Sequence, residues 1–207
     1  MHAMFDSLVQ QPDAALVARV ARGESECFAE LVRRYQPALM RVARSRLGRA
    51  DWAEDVVQEA FLAAFKSCGS YDQRYSSFRT WLWTILLNQC HGHYQRRMRS
   101  VPLEPLSDQR QPAARARVQQ DQGASPLLVL LAKERAAQLE ALLAQLSDAQ
   151  ADALRLRFFG GLKFHEIAAA MQCSLNTAKN RVRMGLVRMA GLLDGAAQAV
   201  PRDRDEE

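Results

Sequence analysis

The stretch from Ser147 to Leu193, SDAQADALRLRFFGGLKFHEIAAAMQCSLNTAKNRVRMGLVRMAGLL, constrains the fold more than any other part of the chain. Its apolar residues recur at helical spacing, and two breaks divide it. Ser147 is a good N-cap before Asp148, whose charge suits a helix N-terminus. Ala153, Leu154, Leu156 and Phe158 give this first helix its apolar contacts, and Gly160-Gly161 ends it. A short second helix is predicted from about Lys163 to Met171. Gln172-Cys173-Ser174 then turns the chain, and Ser174 can cap a third helix. In that helix Leu175, Ala178, Val182, Leu186 and Met189 are spaced as one buried stripe. Its other faces carry Asn176, Thr177, Lys179, Asn180, Arg181, Arg183 and Arg188, and no acid occurs between Met171 and Gly191.

A helix pair with a tight turn, whose second helix is polar, amide-rich and basic outward, suits the DNA major groove. Lys and Arg neutralise phosphates, and Asn and Arg pair with base edges. The plainer alternative is a solvated face on a helical bundle, but such a face normally mixes charge signs. The formal net charge of +5 also favours a polyanionic partner.

The four cysteines, Cys27, Cys68, Cys90 and Cys173, lie far apart in sequence and form no CxxC pair, so reduced thiols are expected and no metal site. Cys90, His91 and His93 crowd too closely for a tetrahedral metal. The N-terminal MHAMFDSLVQQPD lacks a basic segment before a long apolar run, so it does not read as a signal peptide, and Leu127 to Ala132 is too short to span a bilayer. A cytoplasmic protein is the simplest reading.

Residues 1 to about 12 read as a loose leader. Leu16, Val17 and Val20 form one helical stripe, and Phe28, Leu31, Val32, Tyr35, Leu39 and Val42 a second, with Pro37 at a kink or helix start and Gly48 as terminator. From Ala50 to Phe65 comes a helix whose only charges are acidic: Asp51, Glu54, Asp55 and Glu59. Asp51, Asp55 and Glu59 recur every four residues on one face, which destabilises an isolated helix. A basic partner docking there explains the whole face.

From Phe78 to Arg99 the sequence FRTWLWTILLNQCHGHYQRRMR interleaves aromatics with arginine and has no acid. That mixture suits single-stranded nucleic acid, where bases stack and phosphates pair. Trp83, Tyr75 and Tyr94 add aromatic surface beyond one core stripe, whereas Trp81 reads as core. Asn88 to His93 reads as a polar loop able to hold an unstacked base. Four prolines, repeated Gln and Arg, and no apolar period mark residues 100–126 as a flexible linker. Leu127 to Leu146 is helical, with Leu131, Leu139, Leu142, Leu143 and Leu146 inward, and residues 194–207 read as a disordered tail. The fold class is therefore all-α: two small helical domains, 13–99 and 127–193, on a flexible tether, the second containing a helix-turn-helix.

These pieces, taken in order, resemble a bacterial sigma factor of the extracytoplasmic-function group. In the first domain the matching residues are Glu54-Asp55-Val56-Val57-Gln58-Glu59-Ala60-Phe61, Phe78-Arg79-Thr80-Trp81-Leu82, Asn88 and Arg96-Arg97. In the second they are Arg157-Phe158-Phe159, Gly161-Leu162, Glu166-Ile167-Ala168 and Asn176 to Arg181. The resemblance implies a factor that brings RNA polymerase core to a promoter and opens it. It implies that Asp51, Glu54, Asp55, Gln58 and Glu59 dock on the polymerase clamp helices, with a further contact to the flap. Arg79, Trp83, Asn88, Gln89, His91, Arg96 and Arg97 would then contact the −10 element, the 88–93 segment capturing a flipped base. Asn176, Thr177, Lys179, Asn180, Arg181, Arg183 and Met184 would read the −35 element. Base capture would offset an unstacking cost of a few kcal/mol without ATP. An anti-sigma factor, in many relatives membrane-bound, is the further partner implied; no cofactor or small-molecule substrate is.

Gly92 stands where the family usually has Asp, Lys163 where it has Ser or Thr, and Met184 where a basic residue is common. Two other functions compete. A dimeric helix-turn-helix regulator would carry a ligand or receiver domain at the N-terminus, not an acidic helix followed by a Trp-Arg stretch. A recombinase-like enzyme would need an arranged nucleophile or carboxylate metal cluster, and the sequence offers no catalytic constellation.

Overall fold

A computed structural model of the chain describes residues 8–100 and 125–198, without the side chains of 97–100, 126, 129 and 195–198. All regular structure among these residues is helical. Helices α1 (Asp13–Ala21), α2 (Glu26–Leu47), α3 (Ala50–Lys66) and α4 (Phe78–Ser100) make the first unit, with a 3-10 turn at Cys68–Ser70. Helices α5 (Pro126–Leu143), α6 (Asp148–Phe158), α7 (Phe164–Ala170) and α8 (Leu175–Gln198) make the second.

The first unit is built by period. Phe28, Leu31, Leu39 and Val42 bury one stripe of α2 against Ala53, Val56, Val57, Ala60 and Ala64 of α3, and Phe78, Leu82 and Leu86 of α4 close the core. Pro37 lies inside α2, and Gly48, at φ 70°, ends that helix in the left-handed conformation that glycine adopts without penalty. Tyr35 donates to Asp13, and Arg34 pairs with Asp13 at 2.8 Å, which ties α1 to α2.

The second unit starts with Pro126 at the first turn of α5, where a missing N–H costs nothing. Ser147 precedes α6, and its backbone N–H reaches Gln150 Oε1 at 3.4 Å. The sequence expectation for α8 is half right. Ala178 and Val182 are buried, but Leu175 and Leu186 are 45% and 44% exposed. The inner edge instead continues through Gly185, where an added Cβ would stand 2.9 Å from Leu154 Cδ1. The Leu154 side chain of α6 lies so close to α8 here that any residue larger than glycine must push it aside.

Several expectations are corrected. Leu8 is buried, and Arg34 Nη2 donates to the carbonyls of Leu8 and Val9, so residues 8–9 are fixed to the core rather than loose. Residues 194–198 extend α8. Leu131 is exposed rather than inward, while Leu143 and Leu146 are buried. The linker segment from 101 to 124 and the tail from 199 lie outside the described residues.

The two units also pack on one another: α4 lies against α7, and α2 against α6. Trp83 is fully buried at this junction, beneath Gly160. It is thus core, not exposed aromatic surface.

Candidate nucleic-acid and partner interface

The N-terminus of α8 is built for a polyanion. Gln172 takes φ 51°, which reverses the chain after α7. Ser174 Oγ then accepts the Thr177 N–H at 3.0 Å and shares a hydrogen bond with its hydroxyl at 2.8 Å. Thr177 is thereby engaged in the cap, and its side chain is half-buried. Asn176, Lys179, Asn180, Arg183 and Met184 are exposed, and Arg181 is half-buried. Arg183 Nη2 donates to Asn180 Oδ1 at 3.3 Å, so these two side chains share one ridge. A cationic, amide-bearing ridge at a helix N-terminus is what base edges and phosphates require.

In the turn before α7, Lys163 supplies no side-chain cap, but its N–H is not orphaned: Glu166 Oε2 accepts it at 2.7 Å. The Lys163 departure is thus met by the reciprocal half of a capping box.

On α4 the expected polar loop is absent. Asn88 to His93 lies within the continuous helix Phe78–Ser100. Gly92 does not take positive φ, and a Cβ there would meet nothing within 4 Å. The helical turn puts Asn88 and His91 on one exposed ridge, with Gln89, half-buried, about 100° away. Arg96 is exposed and pairs with Glu59 at 3.0 Å, and the Arg97 side chain lies outside the described residues. Trp83, buried, is not on this surface. Arg79 is half-buried and engaged within the chain: its Nη2 donates to the carbonyls of Gly160 and Gly161 at 2.9 and 2.8 Å.

The acidic face of α3 is real, but its charges are largely matched within the chain. Arg49 holds Asp51 at 2.7 Å, and that hydrogen bond keeps the carboxyl well below its ordinary range, at about 2. Glu54 meets Arg44 at 3.3 Å. Asp55 and Gln58 are exposed. Beside them runs an apolar groove between α2 and α3, with Phe28, Val32, Met40, Phe61, Leu62 and Phe65 among its lining. The sequence reading missed this groove. The signal was there: Leu62 stands three and seven residues after Glu59 and Asp55, on the acidic face, and is exposed.

The reading also missed the polar junction between the two units. Arg155 Nε donates to Ser45 Oγ at 2.8 Å, Ser45 donates to Glu140 at 3.1 Å, and Arg46 pairs with Asp152. Burial pushes the Arg155 guanidinium down from its ordinary value and the Glu140 carboxyl up. A charged residue at an inward helical position, as Arg155 is beside Leu154, was the available sign.

All four cysteines are free. No group of three or more His, Cys, Asp or Glu among the described residues could hold a metal. No described helix is long and apolar enough to cross a membrane.

Comparison with known proteins agrees with this arrangement. Residues 31–100 match Sigma-70 region 2, and residues 136–189 match Sigma-70, region 4. The RNA polymerase sigma-H factor of Pseudomonas aeruginosa is 31% identical over 95% of this chain and 99% of that protein. The ECF RNA polymerase sigma-E factor of Escherichia coli is 30% identical over 84% of this chain and 90% of its own length. Among solved structures, CnrH in complex with the cytosolic domain of CnrY aligns with TM-score 0.65 at 25% identity, covering 88% of this chain and 97% of that one. The sigma factor RpoE of Bartonella quintana, in complex with the anti-sigma factor NepR, aligns with TM-score 0.58 at 25% identity over 86% of this chain and 98% of that one. With both regions present in order and relatives matched along nearly the whole chain, the protein belongs to the sigma-70 family of RNA polymerase sigma factors, in its extracytoplasmic-function group.

Proposed function

We propose that the chain binds RNA polymerase core and directs promoter-specific initiation through four surfaces. The observation that carries this reading is the α8 ridge, acid-free, exposed and capped by Ser174, in a chain that also carries an acidic docking helix. Asn180 and Arg183 read −35 bases, and Lys179 holds phosphate. On α3, Asp55 and Gln58, beside the apolar groove, dock the clamp helices, and Asp51, Glu54 and Glu59 flank them. The exposed apolar start of α5, including Leu127, Leu128 and Leu130, takes the flap.

The −10 strand lies along α4. Asn88 and His91 meet a flipped base from a helical ridge, with Gln89 at its edge and Arg96 on the backbone. The unit 13–99 melts the promoter and 127–193 anchors it. The chain works in the cytoplasm without catalysis of its own, and an anti-sigma factor competes for the α2–α3 groove. The relative solved with NepR supports such a partner.

Reconstitution with core polymerase tests the reading. Wild type opens a selected promoter, seen as permanganate reactivity of unpaired thymines. Asp55→Lys with Glu59→Lys loses holoenzyme formation. Asn88→Ala forms the closed complex but opens less DNA, and a pre-melted promoter restores it. A chain that fails to join core polymerase, or gives the same transcripts as core alone, refutes the function.

A further inference from the structure

The outward face of α8 holds one side chain that does not share the chemistry of its neighbours. Asn176, Lys179, Asn180 and Arg183 are exposed amides and cations. Met184 stands among them, 41% exposed. It comes one turn after Asn180, so the two lie on the same row of the helix. Arg183 leans back to donate to Asn180 Oδ1 at 3.3 Å, and the thioether beside them stays open to solvent.

Position along the helix matters as much as face. Residues rise about 1.5 Å each, so Met184 lies about 12 Å beyond Asn176. The major groove is about 12 Å wide. A groove entered by the N-terminus of α8 therefore still covers Met184. Val187, also apolar and 59% exposed, lies nearly a turn farther on and outside that span.

We propose that Met184 reads the 5-methyl group of a thymine in the −35 element. A thioether has no proton to donate to a base edge, so what it gains in the groove is burial of apolar surface. The groove offers one apolar group to bury against, the thymine methyl. Asn180 fits the same partner, because asparagine suits adenine, whose paired thymine turns its methyl into the same groove. Met184, about 6 Å farther along the axis, meets the thymine of that pair or of the next step. An unbranched, polarisable side chain adjusts to either offset. The inference rests on the reading of −35 bases by α8 given above, and adds the chemical group that is selected.

The test uses holoenzyme assembled with the full-length chain, which first selects a −35 duplex from a randomised pool. Each thymine of the selected element is then replaced in turn by deoxyuridine, which removes the methyl and keeps every hydrogen-bonding atom. Affinity is read by competition against a fluorescein-labelled parent duplex. Wild type should lose about fourfold at one thymine, the weight of one buried methyl group. Met184→Ser should bind the thymine and deoxyuridine duplexes of that position alike, and Val187→Ser should keep the wild-type ratio. Each ratio compares two duplexes on one protein, so a general loss of affinity or of folded protein cancels from it. Wild type indifferent to deoxyuridine at every position overturns the proposal, and so does a selected element without thymine on either strand. A methyl preference that survives Met184→Ser, or is lost equally in Val187→Ser, overturns it too. A holoenzyme that selects no −35 sequence refutes the reading of −35 DNA by α8 instead, and removes the ground of this inference with it.

Discussion

Arg155 and Ser45 lie 110 residues apart in sequence, yet the guanidinium meets both the hydroxyl and the carbonyl of the serine, at 2.8 and 3.1 Å. Ser45 also donates to Glu140. Ser45→Ala therefore strips one acceptor from a buried cation and one donor from a half-buried carboxyl. Leaving such groups unsatisfied costs about 1–3 kcal/mol. Urea denaturation of the variant should show that loss as a lower midpoint, with no change of slope.

Gly185 sets how deeply α8 sits on α6. Gly185→Val places a branched side chain where a single Cβ already stands 2.9 Å from Leu154. Overpacking of this kind costs about 1–3 kcal/mol and shifts backbone. Thermal stability should fall, and binding to −35 duplex should fall with it even though no base-contacting residue has changed.

The ridge of α8 separates into two behaviours. Asn180→Ala and Arg183→Ala should relax base preference, each by about 1–3 kcal/mol for a bidentate contact. Lys179→Ala should weaken all sequences alike and flatten the salt dependence. Sequence selection on randomised −35 duplexes distinguishes them. Identical profiles for the three variants and wild type would contradict the assignment.

Glu30 provides a pH signature. It is buried and takes hydrogen bonds from Arg33 at 2.7 and 2.8 Å and from Arg34 at 2.7 Å. The Arg33 bonds above all hold its carboxyl at about 2, against an ordinary 4.5. A depressed carboxyl stabilises the fold fully above its unfolded value, and that stabilisation is lost as pH falls towards 2. The melting-temperature gap between wild type and Glu30→Gln should shrink across that window and stay constant from pH 5 upward.

Local signals in the sequence were followed by the structure, and distant ones were not legible. Gly160-Gly161 ends α6, and Ser174 caps α8, because both effects act within a few residues. Trp83 shows the limit. Its surplus over one apolar stripe was visible, but the surface it covers is the α6 terminus, about eighty residues away, which helical period cannot name. Asn88 to His93 failed for another reason. A single glycine costs a helix only about 1 kcal/mol, and a long helix with a buried face absorbs that. Polar composition was taken for a break where it marks only a wet face. Leu186 kept helical spacing but lost burial to its neighbour Gly185, where α8 packs against the Leu154 side chain.

The ion pairs of α3 give its acidic face a particular chemistry. Asp51, Glu54 and Glu59 already hold Arg49, Arg44 and Arg96. A basic partner settling there carries out an exchange rather than a simple addition, and exposed pairs of this kind resist it only weakly. A cation that captures Glu59 does so in competition with Arg96 of α4, so occupation of the acidic face is felt on the neighbouring helix as well as on α3.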